Sequence, residues 1–182
     1  LERDAVRVLA YGDGAGSDSL RLALAGYRVD YFDVPGSRTF DFALARFRRH
    51  GFLGRHIEVC DAASFSSGNT ASYDVVLCFE VLEHLPDPRG VIELIARLLR
   101  PGGIALVTED FGDTGPEFPT HLAVNDRLAG RTPFLFLAAG LRLTWFRPAP
   151  LFKPMEFLRT DVRPLGDRLA LLAVPEVSRK LV

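Results

Sequence analysis

An α/β fold with a mostly parallel sheet and helices on both faces is what the sequence predicts, on three observations. Short β-favouring apolar runs alternate with segments of helical periodicity from the start of the chain to about residue 110. The run YDVVLCF at 73–79 is almost continuously apolar, as a strand covered on both faces must be. The first apolar run stops in glycines at 12, 14 and 16, a bare turn of the kind that lets a strand pass into a helix beside a ligand.

Each element follows in order. Residues 6–10 form the first strand; Ser17 is placed to cap a helix carrying Leu20, Leu22, Ala23 and Leu24; Gly26 closes it, and YRVDYF is the second strand. Phe40, Leu44 and Phe47 mark a helix over 40–50, Gly51 and Gly54 punctuate the chain, and HIEVC at 56–60 is the third strand. ASFSSGNTAS is a polar surface connection into the fourth strand at 73–79. Asp87 and Pro88 then have the order of a cap and a first helical residue, and Val91, Ile92, Leu94, Ile95, Leu98 and Leu99 give the helix its apolar face. PGG at 101–103 ends that helix, and IALVTE is the fifth strand, joined like the others by right-handed crossovers. Beyond it the pattern predicts a loop over 111–121, a helix over 123–139 despite Pro133, a sixth strand LRLTWF at 141–146, a connection RPAPLFKP, and a last strand RLALLAV at 168–174.

Residues 1–182 are long enough for one domain with a substantial core and too short for two. A formal charge of -1 gives no bulk attraction to nucleic acid or an anionic membrane, and Arg48 with Arg49 is too small a basic patch to change that. Cys60 and Cys78 lie in apolar runs without metal-ligand spacing, so they read as buried thiols of a reducing compartment. No apolar run is long enough to span a bilayer and no leader pattern is present, so a cytoplasmic protein without membrane insertion is expected. The first strand begins almost at Leu1, so further residues are expected upstream.

The glycine turn narrows the ligand. It reads G-x-G-x-G, with Ser17 where a dinucleotide fingerprint has its third glycine, and no lysine follows in a chain whose lysines are Lys153 and Lys180, so it is no phosphate-binding P-loop. Asp33 ends the second strand at the distance from which a carboxylate accepts hydrogen bonds from both ribose hydroxyls, a feature shared by NAD and other adenosyl ligands. Asp61, ending the third strand, is placed to accept from an adenine amino group.

Taken together, VLAYGDGAG, Asp33, Asp61, YDVVLCFEVLEHLPDP and LLRPGGIALVTE resemble, in order and spacing, the class I S-adenosylmethionine-dependent methyltransferases. Within them the chain is most similar to the small-molecule branch that includes the ubiquinone-biosynthesis O-methyltransferases, over about residues 6–110. The resemblance implies a Rossmann-like sheet of seven strands in the order 3-2-1-4-5-7-6, the seventh antiparallel. It also implies S-adenosylmethionine as cofactor, S-adenosylhomocysteine as its product, and a small-molecule acceptor with an oxygen, nitrogen or carbon nucleophile. Gly12, Gly14 and Gly16 would then pack on the methionine and ribose, Asp33 would hold the ribose, Asp61 with Ala62 would meet the adenine, and Phe79 and Glu80 would line the sulfonium side. Ala10 stands where the family usually has an acid, so that carboxylate is missing or has moved to Asp13. The departure keeps open a catalytically inactive, methyltransferase-like binding domain, while an NAD-dependent oxidoreductase rests on the glycine turn and Asp33 alone.

Catalysis in such a site is mainly alignment of donor and acceptor and exclusion of water. A hydroxyl acceptor also needs a base, and His121, in the 111–136 segment expected to face the substrate, is the candidate. Glu80 and Glu83 flank a short turn in which Glu83-His84 is read as fixing the loop, and His50 and His56 as surface residues. Phe134, Phe136, Trp145, Phe146, Phe152 and Phe157 are read either as the wall of an apolar pocket or as core.

Overall fold

The apolar runs of the first half pair as parallel strands. In a computed structural model, which describes residues 2–65, 71–145 and 154–160, β1 (Arg7–Tyr11) lies between β2 (Arg28–Phe32) and β4 (Tyr73–Phe79). β3 (Ile57–Val59) extends the sheet beyond β2, and β5 (Leu99–Thr108) lies beside β4. β6 (Leu141–Trp145) and β7 (Met155–Arg159) complete the order 3-2-1-4-5-7-6, with β7 antiparallel to both β5 and β6.

Successive residues of a strand point to opposite faces, and the core divides accordingly. Val8 and Ala10 of β1 pack with Leu20 and Ala23 of α1 (Ser17–Leu24) and with Ala43 and Phe47 of α2 (Arg38–Arg49). Leu9 and Tyr11 pack on the other face with Ile92 and Ile95 of α3 (Pro88–Leu98) and Phe136 of α4 (Thr132–Ala138). Helices therefore cover both faces, and the carboxyl ends of the parallel strands form one rim. Among the described residues, no helix is long and apolar enough to cross a membrane.

Several expectations need correction. Ser17 is the first helical residue, not the cap; Gly16 takes the cap position in the left-handed region at φ 71°. PGG does not end α3: the helix stops at Leu98 and the chain enters β5 directly, with the β4–β5 register shifting between Tyr73↔Leu99 and Val75↔Ile104. A Cβ on Gly103 would lie 2.9 Å from the Arg100 carbonyl oxygen and 3.0 Å from that of Tyr73, so this irregular strand passage requires glycine. The single helix expected over 123–139 is two pieces, a 3₁₀ segment (Ala123–Leu128) and α4, because Gly130 turns the chain at φ 68° and Pro133 sits in the first turn of a new helix. Strand Met155–Arg159 carried too weak an alternation to be read from the sequence. The strand expected at 168–174, Phe146, Phe152 and most of RPAPLFKP lie outside the described residues.

The aromatic alternative resolves toward core. Phe136 and Phe157 are fully buried and stack with centroids 4.1 Å apart, whereas Trp145 is largely exposed. His56, expected at the surface, is half-buried with its ring edge-on to Phe52. Cys60 and Cys78 are free thiols, Cys78 buried and Cys60 partly so, and burial pushes the Cys60 thiol up to about 12.

Candidate functional site

The glycine turn is held rigid by the side chains around it. The Gly12 amide donates to the Phe32 carbonyl (2.8 Å), the Gly16 amide to the Asp13 carbonyl (2.8 Å), and the Gly14 amide to the Asp33 carboxylate. The Tyr31 hydroxyl donates to the Gly14 carbonyl (2.6 Å), and Arg46 reaches across from α2 to the Ala15 carbonyl (2.6 Å). The glycine N–H groups are therefore not free donors for a ligand. What glycine supplies here is conformation and closeness: a Cβ on Gly16 would stand 2.3 Å from the Phe47 ring at a positive φ.

Beside this turn, on the β4 side, is a cleft of about 270 Å³. Its walls include Gly12, Asp13, Gly14, Asp18 and Phe79, over a floor containing Ala10 and Leu77. Asp13 does the work foreseen for Ser17, since its carboxylate accepts from the amides of Asp18 (3.2 Å) and Ser19 (2.8 Å) at the start of α1. Burial pushes the Asp13 carboxyl up, against the hydrogen bonds from Ser19 and Asp18 that draw it down. Gly16 faces Phe47 and Ala43, away from this cleft.

The other strand ends contribute to the same rim. Asp33 follows β2 and accepts from the Val34 amide (2.6 Å) as well as from Gly14, leaving each oxygen a second lone pair. Asp61 follows β3 fully exposed, and the Ser64 hydroxyl (2.6 Å) and amide (2.8 Å) hold its carboxyl below the usual range. Ala62 opens the short 3₁₀ turn Ala62–Phe65 and is exposed. Glu80 leaves β4 in the left-handed region at φ 54°, unusual for a residue with a side chain, and its amide donates to the carbonyl and hydroxyl of Thr108, each at 3.1 Å.

A second cluster stands past the ends of β4 and β5. Glu83 is 1% exposed, yet neither carboxylate oxygen has a hydrogen-bond partner among the described residues. Burial pushes its carboxyl up to about 7, with Glu80 and Glu109 adding to the shift and His121 opposing it. His84 and His121 meet edge to face with centroids 4.9 Å apart. The ligating atoms of Glu83, His84 and His121 lie within 4.8 Å of one another, near enough for one cation to sit among them. The two rings have the same polarity: Nδ1 of His121 faces the Asp113 carbonyl (2.5 Å) and Nδ1 of His84 faces the Thr120 carbonyl (3.0 Å). A carbonyl oxygen can only accept, so each Nδ1 carries a proton, and in a neutral ring Nε2 is then the acceptor. Asn125 locks the arrangement, its amide donating to the carbonyls of Glu83 (3.1 Å) and Leu85 (2.8 Å).

Sequence reasoning found His121 but not its neighbours. Glu83-His84 is read from the sequence as a loop-fixing pair, and it does fix the loop, through the Leu122 amide bonded to the Glu83 carbonyl (3.0 Å) and the His84 ring bonded to the Thr120 carbonyl (3.0 Å), while the Glu83 carboxylate takes no part in that. Asp18 lines the cleft and was not singled out, because an acid in a first helical turn is ordinary.

Residues 9–105 match the sequence profile of a family described as Methyltransferase domain. The ubiquinone biosynthesis O-methyltransferase of Aromatoleum aromaticum is 36% identical over 100 residues, 53% of this chain and 41% of the relative. That of Xanthomonas oryzae pv. oryzae is 34% identical over 106 residues, 57% of this chain and 42% of the relative. The match thus spans about two fifths of the length of these curated relatives. Among solved structures, the 1,6-didemethyltoxoflavin-N1-methyltransferase of Burkholderia thailandensis, with bound 1,6-didemethyltoxoflavin and S-adenosylhomocysteine, superposes with a TM-score of 0.60 at 20% identity, covering 85% of this chain and 71% of that one. The [4+2]-cyclase SpnF superposes with a TM-score of 0.63 at 23% identity, covering 79% of this chain and 54% of that one. At such identities these likenesses concern the fold, which carries more than one chemistry.

Proposed function

The chain belongs to the methyltransferase domain family, and from that premise we propose that it transfers a methyl group from S-adenosylmethionine to a hydroxyl oxygen of a small molecule. The observation that carries this reading is the junction of two sites on one rim: a rigid acidic cleft beside the glycine turn and a proton-accepting cluster past β4 and β5.

The cleft suits this donor better than a dinucleotide. A pyrophosphate needs free amides or cationic side chains, whereas the amides of Gly12, Gly14 and Gly16 are internally bonded and, among the described residues, the cleft walls carry two carboxylates and no Lys or Arg. A ligand with positive charge fits that lining. When bound, S-adenosylmethionine supplies a methyl group already activated on a sulfonium sulfur. Asp33 takes the ribose hydroxyls with its remaining lone pairs, Asp61 and Ala62 border the adenine, and Phe79 with Glu80 lines the side toward the acceptor. Gly12 and Gly14 allow the ligand to approach the backbone; Gly16 acts indirectly by letting α1 pack on Phe47.

On the acceptor side, Nε2 of His121 takes the proton of the substrate hydroxyl, while the hydrogen bond at Nδ1 fixes its tautomer. The buried Glu83 carboxylate stabilises positive charge on the His121 ring. The names of the curated relatives favour an oxygen acceptor as well. Residues 111–136 would then contact the substrate, and the exposed Glu80 with the half-buried Asp110 disfavours a polyanion there.

Isothermal titration with S-adenosylmethionine and S-adenosylhomocysteine tests the donor assignment. Both are expected to bind, and Asp33→Ala to weaken each about ten- to a hundredfold, the worth of hydrogen bonds to a charged group. Absence of binding by either ligand, or equal affinity in a folded variant, would overturn it.

A further inference from the structure

The two carboxylates that line the cleft are not equivalent. Those of Asp13 are spent on the amides of Asp18 and Ser19, a cap that α1 needs whatever the cleft holds. The Asp18 carboxylate, half-buried on the first turn of α1, makes no hydrogen bond or ion pair among the described residues. Among the described residues no cationic side chain lines the cleft to answer it, and the strand position beneath is the methyl group of Ala10. A carboxylate that lines a cleft with no partner among the described residues is a receptor for a cationic donor group.

Topology says which end of the ligand that is. Asp33 approaches Gly14 from the β2 side of β1, whereas the cleft, with Asp18, lies on the β4 side between the ends of β1 and β4. A donor whose ribose rests at Asp33 must extend its amino-acid chain and sulfur toward Asp18. Resting on the donor reading above, we infer that Asp18 binds the α-ammonium group of the donor's amino-acid chain.

The test separates this assignment from the donor reading itself. S-adenosylhomocysteine, its deamino analogue and 5′-methylthioadenosine, which lacks the amino-acid chain, are titrated into the native chain and Asp18→Asn. Asparagine keeps the side chain's shape, and its undiminished binding of 5′-methylthioadenosine reports an intact site. The variant is expected to bind S-adenosylhomocysteine about tenfold or more weakly, and to bind the deamino analogue and 5′-methylthioadenosine as the native chain does. Equal loss for all three ligands, or no loss for S-adenosylhomocysteine, would overturn the role of Asp18 while leaving the donor reading in place. If the native chain binds none of the three, the donor reading fails and the role of Asp18 falls with it.

Discussion

Around the glycine turn the protein bonds its own backbone polar groups, and past β4 and β5 it leaves the Glu83 carboxylate without a partner among the described residues. At the turn, Asp13, Asp33, Tyr31 and Arg46 each satisfy a backbone amide or carbonyl, so the loop arrives at its ligand already in shape. At the second cluster neither oxygen of the buried Glu83 has a partner among the described residues, and two imidazoles stand beside it with Nδ1 turned to backbone carbonyls. Burying polar groups without partners costs free energy. The difference teaches a division of labour: bonded backbone groups keep the binding turn in one geometry, and side-chain acceptors left open are where a ligand's charge or proton can be taken.

The largest effect expected from breaking this contrast is at His121. With a hydroxyl acceptor, His121→Ala should lower kcat by about 10²–10⁴, the usual worth of a positioned base, while leaving the affinity for S-adenosylhomocysteine unchanged. Steady-state kinetics and titration on one preparation check both halves. A parallel loss of donor affinity would mean that the two sides are one structural unit, and unchanged kcat would remove His121 from proton transfer.

Next in size is a matched pair of glycine substitutions. Gly16→Ala forces a Cβ to within 2.3 Å of the Phe47 ring and into a left-handed backbone, so it should cost roughly 2–5 kcal/mol of stability. Gly115→Ala, in the loop after β5, meets the flexible end of Glu117 at 2.9 Å and Asp113 at an ordinary 3.8 Å, without a left-handed backbone, and should stay within about 1 kcal/mol. Urea unfolding midpoints decide. Similar costs at both positions would erase the distinction between a tightly packed donor turn and a forgiving acceptor loop.

The same contrast governs how much was legible in the sequence. The parallel strands, the glycine turn and Asp33 declare themselves because local chemistry, alternation and chain position determine them. Asp87-Pro88 is equally plain, and its carboxylate does accept from the Gly90 amide at 3.0 Å. The Glu83–His84–His121 cluster did not declare itself, because it joins residues far apart in sequence and depends on Asn125 and Leu122 docking one loop on another. PGG misled for a related reason: its apparent meaning as a helix stop is local, whereas its position inside β5 is imposed by the approach of the Tyr73 and Asp74 carbonyls. Asp13 and Asp18 look alike as letters, and only the pattern of bonded amides separates a cap from an open acceptor.

The smallest of these expected effects concerns Glu83 and its sign is informative. Burial raises its carboxyl from the ordinary value of about 4.5 to about 7, so between those values the folded chain holds a proton that the unfolded chain has lost. Stability should therefore fall as pH rises from about 4.5 to about 7 and level off above, by up to about 3 kcal/mol. Glu83→Gln removes the ionisation, so melting curves from pH 5 to 8 should lose this slope, whatever the amide does to stability at any single pH. A slope that persists in the variant would assign the titration to another group and would mean that Glu83 is matched in solution after all. A slope that disappears, with kcat reduced by less than in His121→Ala, would keep Glu83 as the group that positions and charges the imidazole rather than the one that takes the substrate's proton.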